Sequence, residues 1–113
     1  MTTLYGIRSC DTVKKAIKWL DDNNLEYTFV DFRKDGVSSK QIQTWIDILS
    51  WDILVNKRST TWRGLSDDAK SNLSVDMIQE NPTLIKRPVL ERSDQVYVGF
   101  KKEIYDEIFK NNT

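Results

Sequence analysis

The sequence contains no histidine and only one cysteine, Cys10, in 113 residues. Without histidine there is no Cys–His or Ser–His pair for nucleophilic catalysis. With one cysteine besides, a zinc site of the usual nitrogen and sulfur ligands is not available, so no metal is expected. A lone cysteine cannot close an internal disulfide, and this points to a reducing compartment, the cytoplasm. An excess of one charge is missing too. Seventeen Lys and Arg residues balance seventeen Asp and Glu residues, so bulk charge gives no reason to expect direct contact with nucleic acid. No apolar run approaches the ~18 residues that span a bilayer, and the first residues lack a signal-peptide pattern, so no membrane partner is expected. Internal repeats and low-complexity linkers are also lacking.

What remains is the composition of a single soluble domain, residues 1–113, with 39% apolar and 30% charged residues. A chain of this length can bury a core without staples. Thr2 to Tyr5 alternates and carries β-formers, which predicts a strand ending at Gly6. Val13, Ala16, Ile17 and Leu20 fall at i, i+3, i+4 and i+7, one face of a helix that starts at Asp11 or Thr12 and stops at Asn23-Asn24. Leu25 to Phe32 reads as a second strand. Strand, helix and strand within about thirty residues make a βαβ unit with two parallel strands.

Beyond the Lys34-Asp35-Gly36 turn, Ser38 and Gln41 fit a capping box. Ile42, Trp45, Ile46 and Leu49 then form a helical face, and Trp51 to Val55 a short continuation. Residues 57–61 read as a polar loop. Ser66 and Ser74 are N-cap candidates for helices over about 66–72 and 75–80, the second stopped by Asn81-Pro82. Pro88 cannot donate to a ladder and marks a strand edge or start. Val96 to Phe100 predicts a last strand, antiparallel to the one around Val89, and a final helix runs from about Lys101 to Phe109. The four tryptophans read as core or core edge. The sum is βαβ, a helical insert, then ββα: an α/β thioredoxin-like fold with a mixed four-stranded sheet and a helical insertion.

The chemistry concentrates in Leu4-Tyr5-Gly6-Ile7-Arg8-Ser9-Cys10-Asp11-Thr12, where the thiol falls between the first strand and the first helix. A helix N-terminus offers unpaired N–H groups and about half a positive charge, which favours a thiolate. Arg8 and Lys14 add cationic charge nearby and Asp11 opposes them. A free cysteine is also a small apolar residue that packs well in a core, and that reading stands beside the reactive one.

Three motifs carry a resemblance over essentially the whole chain. They are the first strand with Cys10, the basic stretch from Leu54 to Thr60, and Asn81-Pro82-Thr83-Leu84-Ile85-Lys86-Arg87-Pro88-Val89. Together the chain resembles the arsenate reductase-related (ArsC/Spx) family, and residues 6–12 and 60–63 look closest to its YffB-like branch. The resemblance implies that Cys10 is a nucleophile and that glutathione is a co-substrate, with glutaredoxin as a further partner. It assigns Thr12, Arg58, Arg87 and Pro88 to the binding of glutathione or a small anionic thiol substrate, with Pro88 in cis facing the cysteine. Of the three arginines that hold the oxyanion in family arsenate reductases, Arg87 matches one. Asn56 stands in the column of the second, with Arg58 two positions away, and Phe100 stands in the column of the third. The oxyanion cradle is therefore incomplete. The implied activity is a glutathione-dependent thiol reductase, an oxidoreductase working through one cysteine. The alternative is an Spx-like regulator docking on RNA polymerase, without the Cys-x-x-Cys switch of that branch because Val13 occupies its second position.

Overall fold

A computed structural model describes residues 2–110. The elements follow one another as β1 (Thr2–Gly6), α1 (Asp11–Asp22), β2 (Thr28–Asp31), α2 (Ser39–Leu49), α3 (Trp51–Leu54), α4 (Thr60–Arg63), α5 (Asp67–Ser71), α6 (Val75–Glu80), a 3-10 turn (Pro82–Leu84), β3 (Val89–Arg92), β4 (Gln95–Val98) and α7 (Lys102–Lys110). The four strands form one mixed sheet in the order β2-β1-β3-β4. β1 pairs antiparallel with β3, Tyr5 opposite Val89, and β3 pairs antiparallel with β4, Val89 opposite Val98. This is the α/β thioredoxin-like class that the sequence pattern predicts.

The chain divides into two compact units, 1–29 with 87–113, and 30–86. In the first, β1 buries alternate residues, Thr2, Leu4 and Gly6. The i, i+3, i+7 positions of α1, Val13, Ala16 and Leu20, face inward. Leu4, Ala16, Leu20, Leu90 and Tyr105 make the core cluster, flanked by Trp19, Tyr97, Phe100 and Phe109 among others. α1 stops where Asn23 turns its amide back to the Trp19 carbonyl (2.8 Å) and Asn24 adopts φ 55°. Asparagine tolerates that left-handed conformation better than other non-glycine residues.

The second unit is mostly short helices, each started by a serine. The hydroxyls of Ser38, Ser59, Ser66 and Ser74 accept from the N–H three residues on, at 3.1 to 3.2 Å. Each such cap satisfies one orphan donor. Ile42, Trp45, Leu54, Ile78, Leu84 and Ile85 are fully buried here, and Phe32 meets Trp45 edge-on at 6.3 Å.

Three boundaries depart from the sequence reading. β2 is shorter than Leu25–Phe32, and Tyr27 lies before it: its hydroxyl donates to Asp21 at 2.9 Å. β4 ends at Val98, because Gly99 at φ 89° leaves the strand and donates its N–H to the Pro88 carbonyl at 2.8 Å. The stretch read as loop over 57–61 closes instead into α4, because Ser59 caps it.

Candidate active site

Gly6 is what lets the site form. It is buried at the end of β1, and a Cβ there would stand 2.7 Å from Cγ2 of Val13. Strand and helix are therefore packed so closely that a Cβ at this position would force the Val13 side chain to shift. Substituting Gly6 by alanine should cost about 1–3 kcal/mol through overpacking and disturb the junction that carries Cys10. Thermal denaturation together with Cys10 alkylation rates would read both, and an unchanged melting temperature would contradict the close approach.

From Gly6 the chain turns through buried Ile7 and exposed Arg8 and Ser9, and the Cys10 N–H donates to the Ile7 carbonyl at 3.0 Å. Cys10 is extended (φ −76°, ψ 127°) and occupies the N-cap of α1, with its carbonyl accepting from the Lys14 N–H at 3.0 Å. At an N-cap the side chain faces the N–H groups two and three residues on, here those of Thr12 and Val13. These reach the sulfur at polarising range without the geometry of a regular cap hydrogen bond.

Arg87 arrives from the other end of the chain. β3 lies beside β1 with Val89 opposite Tyr5, so the residues just before Val89 run past the turn just after Tyr5. The Arg87–Pro88 peptide is cis, Pro88 is buried and Arg87 half-buried. The Arg87 guanidinium acts on the Cys10 sulfur as hydrogen-bond donor and as charge. Burial of the sulfur pushes the Cys10 pKa up. The Val13 N–H, the Arg87 side chain and the Thr12 N–H push it down, and together they outweigh burial, so the thiol is held below its ordinary value.

Of the site residues read from sequence, Cys10, Thr12, Arg87 and Pro88 thus belong to the first unit, with Arg87 and Thr12 acting on the sulfur. Thr12 acts through its backbone N–H. Arg58 belongs to the second unit. It is exposed in the turn between α3 and α4, its N–H donating to Asn56 Oδ1 at 3.1 Å. The sequence reading placed Val13 only on the core face and missed the role of its N–H. Counting three residues on from a cysteine at the N-cap would have found it. Arg8, read as a charge for the thiolate, lies with its guanidinium over the Phe29 ring, 4.6 Å from the centroid. Phe100 packs edge-on against Tyr105 at 4.8 Å, so the column of the third oxyanion arginine holds a ring of the core's edge.

The ArsC family model matches residues 5–108. An uncharacterized protein of Haemophilus influenzae is 44% identical over 113 residues, covering 96% of this chain and 99% of that one. The global transcriptional regulator Spx of Listeria innocua is 27% identical over 108 residues, 91% of this chain and 82% of its own. Among solved structures, a YffB protein superposes with a TM-score of 0.89 at 35% identity, over 95% of this chain and 97% of that one.

Proposed function

Because the chain belongs to the ArsC family, we propose that it is a thiol reductase with Cys10 as its one nucleophile and glutathione as the thiol that completes the cycle. The observation that carries this reading is the sulfur at the N-cap of α1, where the N–H groups of Val13 and Thr12 and the Arg87 guanidinium favour the thiolate over burial. The thiolate is the attacking form in thiol–disulfide exchange.

The cycle balances without a metal or a second cysteine. The Cys10 thiolate attacks one sulfur of a disulfide substrate, a bond forms between them, and the substrate's other half leaves as a thiolate that takes a proton from water. A glutathione thiolate then attacks the substrate-derived sulfur of the mixed disulfide, and Cys10 leaves again as thiolate. The substrate half that departed is reduced, and glutathione is oxidised into a new mixed disulfide, which a glutaredoxin could reduce in turn. Arg87 and the Thr12 N–H stabilise Cys10 as attacking and as leaving group. Pro88 shapes the wall beside it. Arsenate is not the substrate in this reading, because Phe100 and Asn56 supply no charge where two of the three oxyanion arginines would stand.

Incubation with glutathione disulfide followed by intact-protein mass measurement tests the reading. One glutathione per chain is expected, formed readily near pH 6, where free cysteine is almost wholly protonated. A protein that reacts no faster than free cysteine at that pH would overturn it. The similarity to Spx over 91% of the chain then favours the second reading, a regulator that docks on RNA polymerase with Cys10 incidental.

A further inference from the structure

We infer that the cavity at the start of β1, built around the Arg92 guanidinium, is a binding site for a small polar carboxylate. The site is separate from the thiol and does not depend on the thiol reductase reading. The cavity has a volume of about 800 Å³, and Thr2, Asn24, Glu26, Tyr27, Thr28 and Arg92 line it. That volume lies within the ~300–1,000 Å³ of small-ligand sites. All of these residues belong to the first unit. Thr2 and Gly6 are the two ends of β1. At ~3.4 Å per residue, Gly6, where the turn to Cys10 begins, lies about 13 Å from Thr2. An anion seated on Arg92 is therefore not the group that the sulfur attacks.

The sheet register puts Arg92 there. Thr2 stands opposite Arg92, and Leu4 opposite Leu90. Side chains alternate between the two faces along a strand, so Thr2 and Arg92 share the face on which Leu4 and Leu90 join Tyr105 in the core cluster. At this end of the face the core gives way to a half-buried charge held on two sides. Arg92 Nη1 donates to Oγ1 of the buried Thr2 at 2.6 Å, and the guanidinium lies over the Phe109 ring, 4.5 Å from its centroid. Among the described residues Arg92 makes no ion pair, although Glu26 lines the same cavity and Asp94 lies two residues along the chain.

A guanidinium carries five N–H donors in a planar fork. The Thr2 hydroxyl takes one of them, and stacking on Phe109 holds the plane. A fork fixed in advance binds at lower cost, because the ligand need not order it. Carboxylate and phosphate oxygens both match that fork bidentately. Glu26 separates the two. It is exposed and carries a negative charge in the same cavity, and its repulsion grows with the charge of the ligand. A singly charged carboxylate is therefore favoured over a doubly charged phosphate ester. The Asn24 amide and the Thr28 hydroxyl in the walls suit a ligand whose body carries hydroxyl or amide groups.

The experiment titrates the full chain with glycerate, with glycerol phosphate and with uncharged glycerol at constant ionic strength, and follows the amide resonances by NMR. Glycerate should give saturable shifts at residues 24–28 and at Arg92, glycerol phosphate should give the same shifts at higher concentration, and glycerol should give none. Arg92→Gln should weaken glycerate at least about tenfold, the low end for a charge-assisted contact. Arg92→Lys keeps the charge without the fork and should fall between. Glu26→Gln changes an exposed side chain, leaves the fold intact and should tighten both anions, by up to about fivefold for glycerate and more for glycerol phosphate. The same shifts are expected in Cys10→Ser, which keeps this site apart from the thiol chemistry. No saturable shift at residues 24–28 in the unsubstituted protein, shifts confined to residues 10–14, or unchanged affinities in Glu26→Gln would overturn the site. Tighter binding of glycerol phosphate than of glycerate would overturn the carboxylate as its ligand.

Discussion

Replacing Arg87 by alanine should slow the reaction of Cys10 with iodoacetamide at pH 6 by roughly three- to tenfold and move its titration midpoint up, towards that of free cysteine. A hydrogen bond from a charged donor contributes about 1.5–3 kcal/mol. Both groups here are only half-buried, so solvent screening makes the low end of that range appropriate. The loss of thiolate is partly offset, because a more basic thiolate is the better nucleophile, with a Brønsted slope of ~0.4–0.5. Arg87→Lys keeps the charge but loses the planar fork, and should fall between the two. The same interaction makes stability depend on pH. With the folded Cys10 pKa below the unfolded one, the unfolded chain holds more protons between the two midpoints. Stability therefore rises with pH across that window and is lost as pH falls through the folded midpoint. Arg87→Ala should flatten that rise in urea unfolding curves recorded at pH 6 and pH 9. Alkylation of the variant at the parent rate would show that the guanidinium does not govern the thiol.

The largest loss of stability is expected at Tyr105. Its side chain is fully buried and meets Trp19, Tyr97 and Phe100 edge-on at centroid distances of 5.5, 6.0 and 4.8 Å, with Phe109 tilted at 6.3 Å. Truncating a buried aromatic to alanine removes its transfer energy and leaves a cavity, at a cost of about 3–5 kcal/mol. That is a large part of the ~5–15 kcal/mol by which a domain is stable. Tyr105→Phe isolates the hydroxyl. Its contact with the Gly99 carbonyl is long, 3.5 Å, so the cost should stay at or below ~0.5 kcal/mol, the low end for a hydrogen bond. Chemical denaturation of the two variants separates packing from hydrogen bonding. A tyrosine-to-phenylalanine cost as large as the alanine cost would mean that the hydroxyl, and not the ring, holds α7 in place.

Short-range chemistry was legible in the chain. The faces of α1 and α2 follow from apolar residues at helical spacing, because a helix repeats every 3.6 residues whatever it packs against. The serines at 38, 66 and 74 announced their helices because a cap needs only an N–H three residues away. The same rule applied at Ser59 would have found α4. The antiparallel pairing around Val89 was readable from two β-rich stretches and a short polar turn.

The tertiary structure decided the rest. β2 begins at Thr28 and not at Leu25 because a strand exists only where a neighbour pairs with it, while the β-rich composition runs further. Composition placed Arg8, Lys14 and Asp11 around the sulfur, since they are its neighbours in sequence. The fold instead lays Arg8 over Phe29 and brings Arg87 to the sulfur. That exchange depends on the β1–β3 register, which sets Val89 opposite Tyr5. Register between distant strands is a property of the whole sheet, and no local pattern of residues encodes it. Cys10 at the start of a helix was therefore visible in its neighbouring residues, while Arg87 was indicated only by the family resemblance, and the physical route that carries it to the sulfur is the β1–β3 pairing.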